Sequence, residues 1–172
     1  MKPWEWDFEE FIAVPPRLVF ENYLDLEHVT VLHSGGIASY EVLERSRDAC
    51  LVEIGTRVWG VTFKHLEWVQ VSPPKQMLYR TRALWGTLET RVVTLIEAVD
   101  GGTRIRTHYR VDPAWFWRPF KKLLIARMNR WKDQVWKEDS ALLLRRQKVL
   151  QMGFKDGMPI KTSIPLAVFD EK

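Results

Sequence analysis

Two of the chain's four histidines lie in Glu21-Asn22-Tyr23-Leu24-Asp25-Leu26-Glu27-His28-Val29-Thr30-Val31-Leu32-His33, which reads E-x3-D-x2-H-x4-H and runs into a Ser34-Gly35-Gly36 break. Imidazoles this close in sequence can converge on one metal ion. A carboxylate from elsewhere would complete a two-His-one-carboxylate set, which holds Fe(II) on one face and leaves the opposite positions open for substrate and O2. Five residues of ideal helix turn His33 about 140° away from His28. The helix must therefore loosen, bulge or end between them, and the glycines just beyond favour an early end. Asp25, one turn before His28, is placed to accept the free imidazole N–H and fix its tautomer.

The far end of the chain offers the carboxylate. From Pro113 to about Gln151 the residues Leu124, Met128, Trp131, Val135 and Leu142 form an apolar stripe at helical steps. Glu138 and Asp139 stand where the stripe should continue. A charge aimed at a core costs several kcal/mol unless it is paired or binds a metal. Two readings stay open: one of these acids looks inward, or both lie at the stripe edge paired with Lys132, Lys137 or Arg145.

The remaining elements must bring these two regions together. Trp4 to Val14 alternates imperfectly and predicts a first strand, ended by Pro15-Pro16. A helix from about Pro16 carries Leu18, Val19, Tyr23 and Leu26 at helical spacing, runs through His28 and ends by Gly35-Gly36. Strands follow at Ala38–Arg45, Cys50–Trp59, Thr62–Val71, Gln76–Leu84, Thr87–Ala98 and Thr103–Val111, split by short turn signals, as in an antiparallel meander. In the last of them Ile105, Thr107, Tyr109 and Val111 face one way and Arg104, Arg106, His108 and Arg110 the other. The expected organisation is one α+β domain over 1–153, with an extended tail over 154–172.

This order resembles the helix-grip architecture of the START-like (SRPBCC) superfamily. There a curved antiparallel sheet wraps around a long C-terminal helix, with short helices between the first two strands and a ligand cavity inside. Members bind hydrophobic ligands, cyclise polyketides or host iron. A closer resemblance is to the catalytic domain of the Rieske non-haem iron oxygenases. Its N-x2-D-x2-H-x4-H pattern is matched by Asn22, Asp25, His28 and His33, and its helix-borne carboxylate ligand by Asp139 in Lys137-Glu138-Asp139. The resemblance implies Fe(II) held by His28, His33 and Asp139, with Asp25 and His28 in catalytic roles.

Cys50 is the only cysteine, so this chain alone can form neither an intramolecular disulfide nor a cysteine-bound iron–sulfur cluster. Electrons for an oxygenase would come from a separate ferredoxin or reductase. The expected activity is thus that of a mononuclear non-haem iron oxygenase acting on a hydrophobic aromatic, polyketide or terpenoid molecule. The alternatives are a non-redox hydrophobic-ligand carrier and a metal-free polyketide cyclase or dehydratase using His28 or His65 for acid–base work. His108, set among arginines, is expected at the surface.

The formal net charge is +4, with much of the excess between Arg118 and Lys148. No zinc-finger pair or RNP-like motif accompanies it, so nucleic acid is not expected as a partner. Trp115, Phe116, Trp117, Phe120 and Leu124 lie beside Arg118, Lys121 and Lys122. They read as core and cavity wall in preference to a peripheral membrane contact. The acidic N-terminus lacks the apolar run of a secretory signal, and the expected location is the cytoplasm. A homo-oligomer is compatible with the oxygenase resemblance.

Overall fold

The computed structural model describes residues 2–25, 29, 32, 33, 35–58, 60–73 and 75–153. Seven strands, β1 (Trp4–Ile12), β2 (Ile37–Arg45), β3 (Ala49–Val58), β4 (Val61–Ser72), β5 (Gln76–Ala83), β6 (Leu88–Val99) and β7 (Gly102–Pro113), form one antiparallel sheet. Its order is β1-β7-β6-β5-β4-β3-β2, so β1 closes back onto the last strand of the meander. Register shifts between Ile37 and Ser39 and between Val42 and Glu44 bend the edge strand β2.

Period-two alternation decides the faces. Trp4 pairs with Val111, Trp6 with Tyr109, Phe8 with Thr107, and Glu10 with Ile105, all on the inner face. The outer face carries ladders such as Glu9 with Arg104 and Arg106, and Arg110 with Glu5 and Asp112. His108 sits there, its Nδ1 2.8 Å from Asp7 Oδ1, as expected of a surface position.

Helix α1 spans Pro16–Leu24, with Pro at its first position. It ends earlier than its apolar spacing suggests. Asp25 leaves helical geometry at φ −80°, ψ 75°, and its N–H donates to the carbonyls of Glu21 and Asn22. The expectation of a helix continuous through His28 is thereby corrected: an Asp at the cap competes with the next helical bond. Residues 29 and 32 are again helical, and the His33 N–H donates to Val29 O at 3.0 Å.

The long helix also starts later than Pro113. β7 runs to that residue, a 3-10 helix covers Trp115–Phe120, and α2 covers Lys121–Gln151. Pro119 explains the delay, because the residue before a proline is pushed out of α geometry. The inward stripe of α2 includes Ile125, Lys132, Trp136 and Leu143, while Trp131 lies at its edge, 38% exposed. The sealed core, with Ile12, Phe20, Leu24, Met77, Ile105 and Leu143, gathers where α1 meets α2. Elsewhere the inner face keeps half-exposed side chains, among them Trp6, Phe8, Phe63, His65 and Tyr109. No helix among the described residues is long and apolar enough to cross a membrane. The expected tail over 154–172 lies outside the described residues.

Candidate functional site

Two inward-facing groups of polar residues stand out. The first joins the segment after α1 to the middle of α2. His33 is only 4% exposed. Its Nδ1 lies 2.6 Å from Glu138 Oε2, and its Nε2 lies 3.5 Å from Asp139 Oδ1. Gln134, one turn earlier on α2, donates to the other oxygen of Glu138. The Trp131 ring meets the imidazole edge-on at 6.1 Å. Burial alone would lower the His33 pKa, but hydrogen bonding and charge from Asp139 and Glu138 outweigh it and raise it.

Of the residues expected to bind metal, His33 and Asp139 are therefore brought together. His28 lies outside the described residues. Asp25 is placed at the cap of α1, and its expected partner, His28, is not described. Neither reading of Glu138 and Asp139 anticipated that both would engage His33. Lys132 pairs instead with Glu10, and its ammonium stands 4.2 Å from the Phe8 ring centroid. Glu10 was missed by sequence reasoning. The signal was present, since Glu10 occupies the fourth inward position of Trp4, Trp6, Phe8, Glu10, Ile12. Its pKa is raised by burial against the opposing pull of Lys132.

The second group lies on β4 and its neighbours. His65 and Glu67 point inward two residues apart, a separation of about 7 Å along a strand. Burial lowers the His65 pKa, so the ring stays neutral to lower pH than an ordinary histidine. Burial raises the Glu67 pKa, although Thr81 donates to Glu67 Oε2 at 2.6 Å and partly opposes this. Tyr79 and Tyr109 line the same face. Burial holds both phenols in their neutral form, the latter pushed up to about 12. Trp6 stacks on Tyr109 at 5.3 Å. The Trp6 indole N–H and the Tyr40 hydroxyl are buried without a hydrogen-bond partner among the described residues. Buried polar groups are ordinarily satisfied, so these two unpaired donors on the inner face call for an explanation.

Comparisons with solved structures match the fold. The crystal structure of Ara h 8.0201 superposes with a TM-score of 0.72 at 17% identity, covering 84% of this chain and 99% of that one. The Zhui aromatase/cyclase from Streptomyces sp. R1128 gives 0.72 at 14% identity, covering 84% and 96%. The chain adopts the START-like helix-grip fold. The di-domain ARO/CYC StfQ from the steffimycin biosynthetic pathway gives 0.70 at 12% identity, over 84% of this chain and 52% of that chain. No family model matches the chain. No curated protein matches it significantly. At these identities the likeness carries the helix-grip fold alone. None of these structures is an oxygenase domain; that narrower resemblance is an expectation from the pattern of Asn22, Asp25, His28, His33 and Asp139.

Proposed function

We propose that this helix-grip chain binds an oxygenated hydrophobic molecule, of polyketide or aromatic type, between its concave face and α2, and performs cyclase- or dehydratase-type acid–base chemistry on it. The observation that carries this is the concave face itself. Half-exposed aromatic walls surround unspent donors on Trp6 and Tyr40, with an acid and a base side by side on β4. The aromatase/cyclase neighbours support the same reading.

Burial disfavours the charged form of both groups, and that assigns the roles. His65, kept neutral, takes a proton from a carbon next to a carbonyl. The resulting enolate attacks a second carbonyl of the same molecule and forms the new carbon–carbon bond. Glu67, which keeps its proton to higher pH than an ordinary carboxyl, gives that proton to the developing alkoxide. His65, now protonated, then gives its proton to the departing hydroxyl while the Glu67 carboxylate takes the second proton from the same α-carbon, so that water leaves, the ring moves towards aromaticity and both groups return to their starting states.

A second reading, a resident Fe(II), is favoured by one observation. Metal-binding histidines ordinarily donate their other ring N–H to a carboxylate. His33 is held that way by Glu138 while its Nε2 faces Asp139 Oδ1. His33 and Asp139 therefore fit two of the three ligands. Bound Fe(II) would supply Lewis acidity or, with electrons from an external ferredoxin or reductase, O2 activation. Glu138 would orient His33 in either state.

Titration of the purified chain with a hydroxynaphthoquinone, followed by Trp quenching, tests the main reading. Saturable binding that weakens several-fold in His65→Ala and Glu67→Ala supports it, and turnover of a poly-β-ketone analogue should survive a chelator. Binding untouched by both substitutions rules it out. Anaerobic reconstitution giving about one iron per chain, lost in His33→Ala and Asp139→Ala, would establish the second reading instead.

A further inference from the structure

Separate from the His33 cluster, the molecule carries a strained, exposed aromatic tip. The β5–β6 hairpin turns through Ala83-Leu84-Trp85-Gly86, with the Gly86 N–H donating to Ala83 O at 3.1 Å. Leu84 and Trp85 have φ of 50° and 55°. This is the backbone of a tight hairpin turn whose two central positions favour Asn-Gly. Bulky residues with positive φ are outliers, and such strain gathers at functional sites. The strained turn holds Trp85 outward, 93% exposed.

The 3-10 helix is fastened beside this turn. The Ala114 N–H donates to Thr87 O at 2.8 Å, and Trp117 Nε1 donates to Thr87 Oγ1 at 3.1 Å. Trp115 is 73% exposed, and Phe116, Phe120 and Leu123 are exposed too. Arg118, Lys121 and Lys122 are interleaved with them. From Pro113 to Lys132 the sequence holds six Lys or Arg and no Asp or Glu. Two acids border the tip, but Glu89 is paired with Arg82 and Asp112 with Arg110.

We propose that this tip docks on an anionic lipid bilayer. Trp and Phe at a water boundary, set among cations, are the composition of a membrane-surface contact. Lysine is depleted at protein–protein interfaces, which argues against a protein occupant. The aromatic side chains enter the headgroup region while Arg118, Lys121 and Lys122 meet the anionic surface. Expectation from sequence placed these aromatics in the core or cavity wall. Exposure of Trp115, Phe116 and Phe120 corrects that.

The test is sedimentation of the full chain with vesicles of phosphatidylcholine alone or mixed with phosphatidylserine. Binding is expected to the mixed vesicles and to weaken with added salt. The R118E/K121E/K122E variant should lose more than tenfold, since each cation contributes roughly fivefold near such a surface. Trp85→Gly should also weaken binding yet raise the melting temperature, because Gly accepts positive φ without strain. Trp68→Ser on the outer face should change nothing. Circular dichroism checks folding, and Trp85→Gly carries the test if the triple variant does not fold. No binding to the mixed vesicles overturns the proposal. So does equal binding to both kinds of vesicle, or self-association that Trp85→Gly relieves.

Discussion

His33 Nδ1 and Glu138 Oε2 lie 2.6 Å apart across 105 residues of sequence, and this contact ties the segment after α1 to the middle of α2. A buried charge-assisted bond contributes about 1.5–3 kcal/mol, and partial exposure of Glu138 lowers that to about 1–2. Glu138→Ala should cost that much in denaturant unfolding of the metal-free protein. The cost depends on pH. The folded pKa of His33 is raised, so the stabilisation is fully present below its unfolded value of about 6.5 and is lost as pH rises through the folded value. The difference between wild type and Glu138→Ala should therefore narrow on the alkaline side. A difference that does not change with pH would show that the pair is not ionised.

Gly36 faces the Trp131 ring so closely that an added Cβ would overlap it. Trp131 in turn meets His33 edge-on. Gly36→Ala should therefore cost about 1–3 kcal/mol by overpacking. Pairing it with Trp131→Leu should return part of that stability. A thermal-shift comparison of the two single variants and the double variant checks this, and strict additivity of the losses would dismiss the clash.

Much of the fold was legible because strand alternation and turn residues agree along the meander. The break at Leu24 was not, because apolar spacing continues through Leu26 and only the cap geometry of Asp25 ends the helix. The inward facing of Glu67 was equally hidden. Leu66 and Trp68 on the outer face of β4 are as apolar as Val69 and Val71 on the inner one, so alternation could not choose a side. The choice between Glu138 and Asp139 was undecidable from periodicity, since neighbours 100° apart on a helix can both reach one imidazole at the edge of the stripe.

Glu67 yields a prediction of opposite sign to Glu138. Burial raises its pKa, so the folded state holds the proton more tightly than the unfolded chain. The group then costs stability as pH rises above its unfolded value of about 4.3, reaching the full cost above the folded value. Glu67→Gln keeps an acceptor for Thr81 and carries no charge. It should raise the melting temperature at neutral pH by a few degrees, with the gain vanishing in acid. Calorimetry at several pH values checks it, and a loss of stability at neutral pH would refute the burial argument. The same variant should lose the proposed proton-donor function, so stability and activity move in opposite directions.

Tyr40 separates a donor kept for a ligand from one kept for the fold. Its hydroxyl is buried and has no hydrogen-bond partner among the described residues, while its ring packs against the core. Tyr40→Phe removes only the hydroxyl. Because a buried unsatisfied polar group costs free energy, stability should hold or rise slightly. An oxygenated aromatic probe that accepts from Tyr40 should then bind about 2- to 10-fold more weakly, the worth of one hydrogen bond of about 0.5–1.5 kcal/mol. A purely hydrocarbon probe of the same shape should bind unchanged, since it never used the hydroxyl. Parallel titrations of the two probes against wild type and Tyr40→Phe decide the matter. Equal losses for both probes would mean that the substitution altered packing and not recognition.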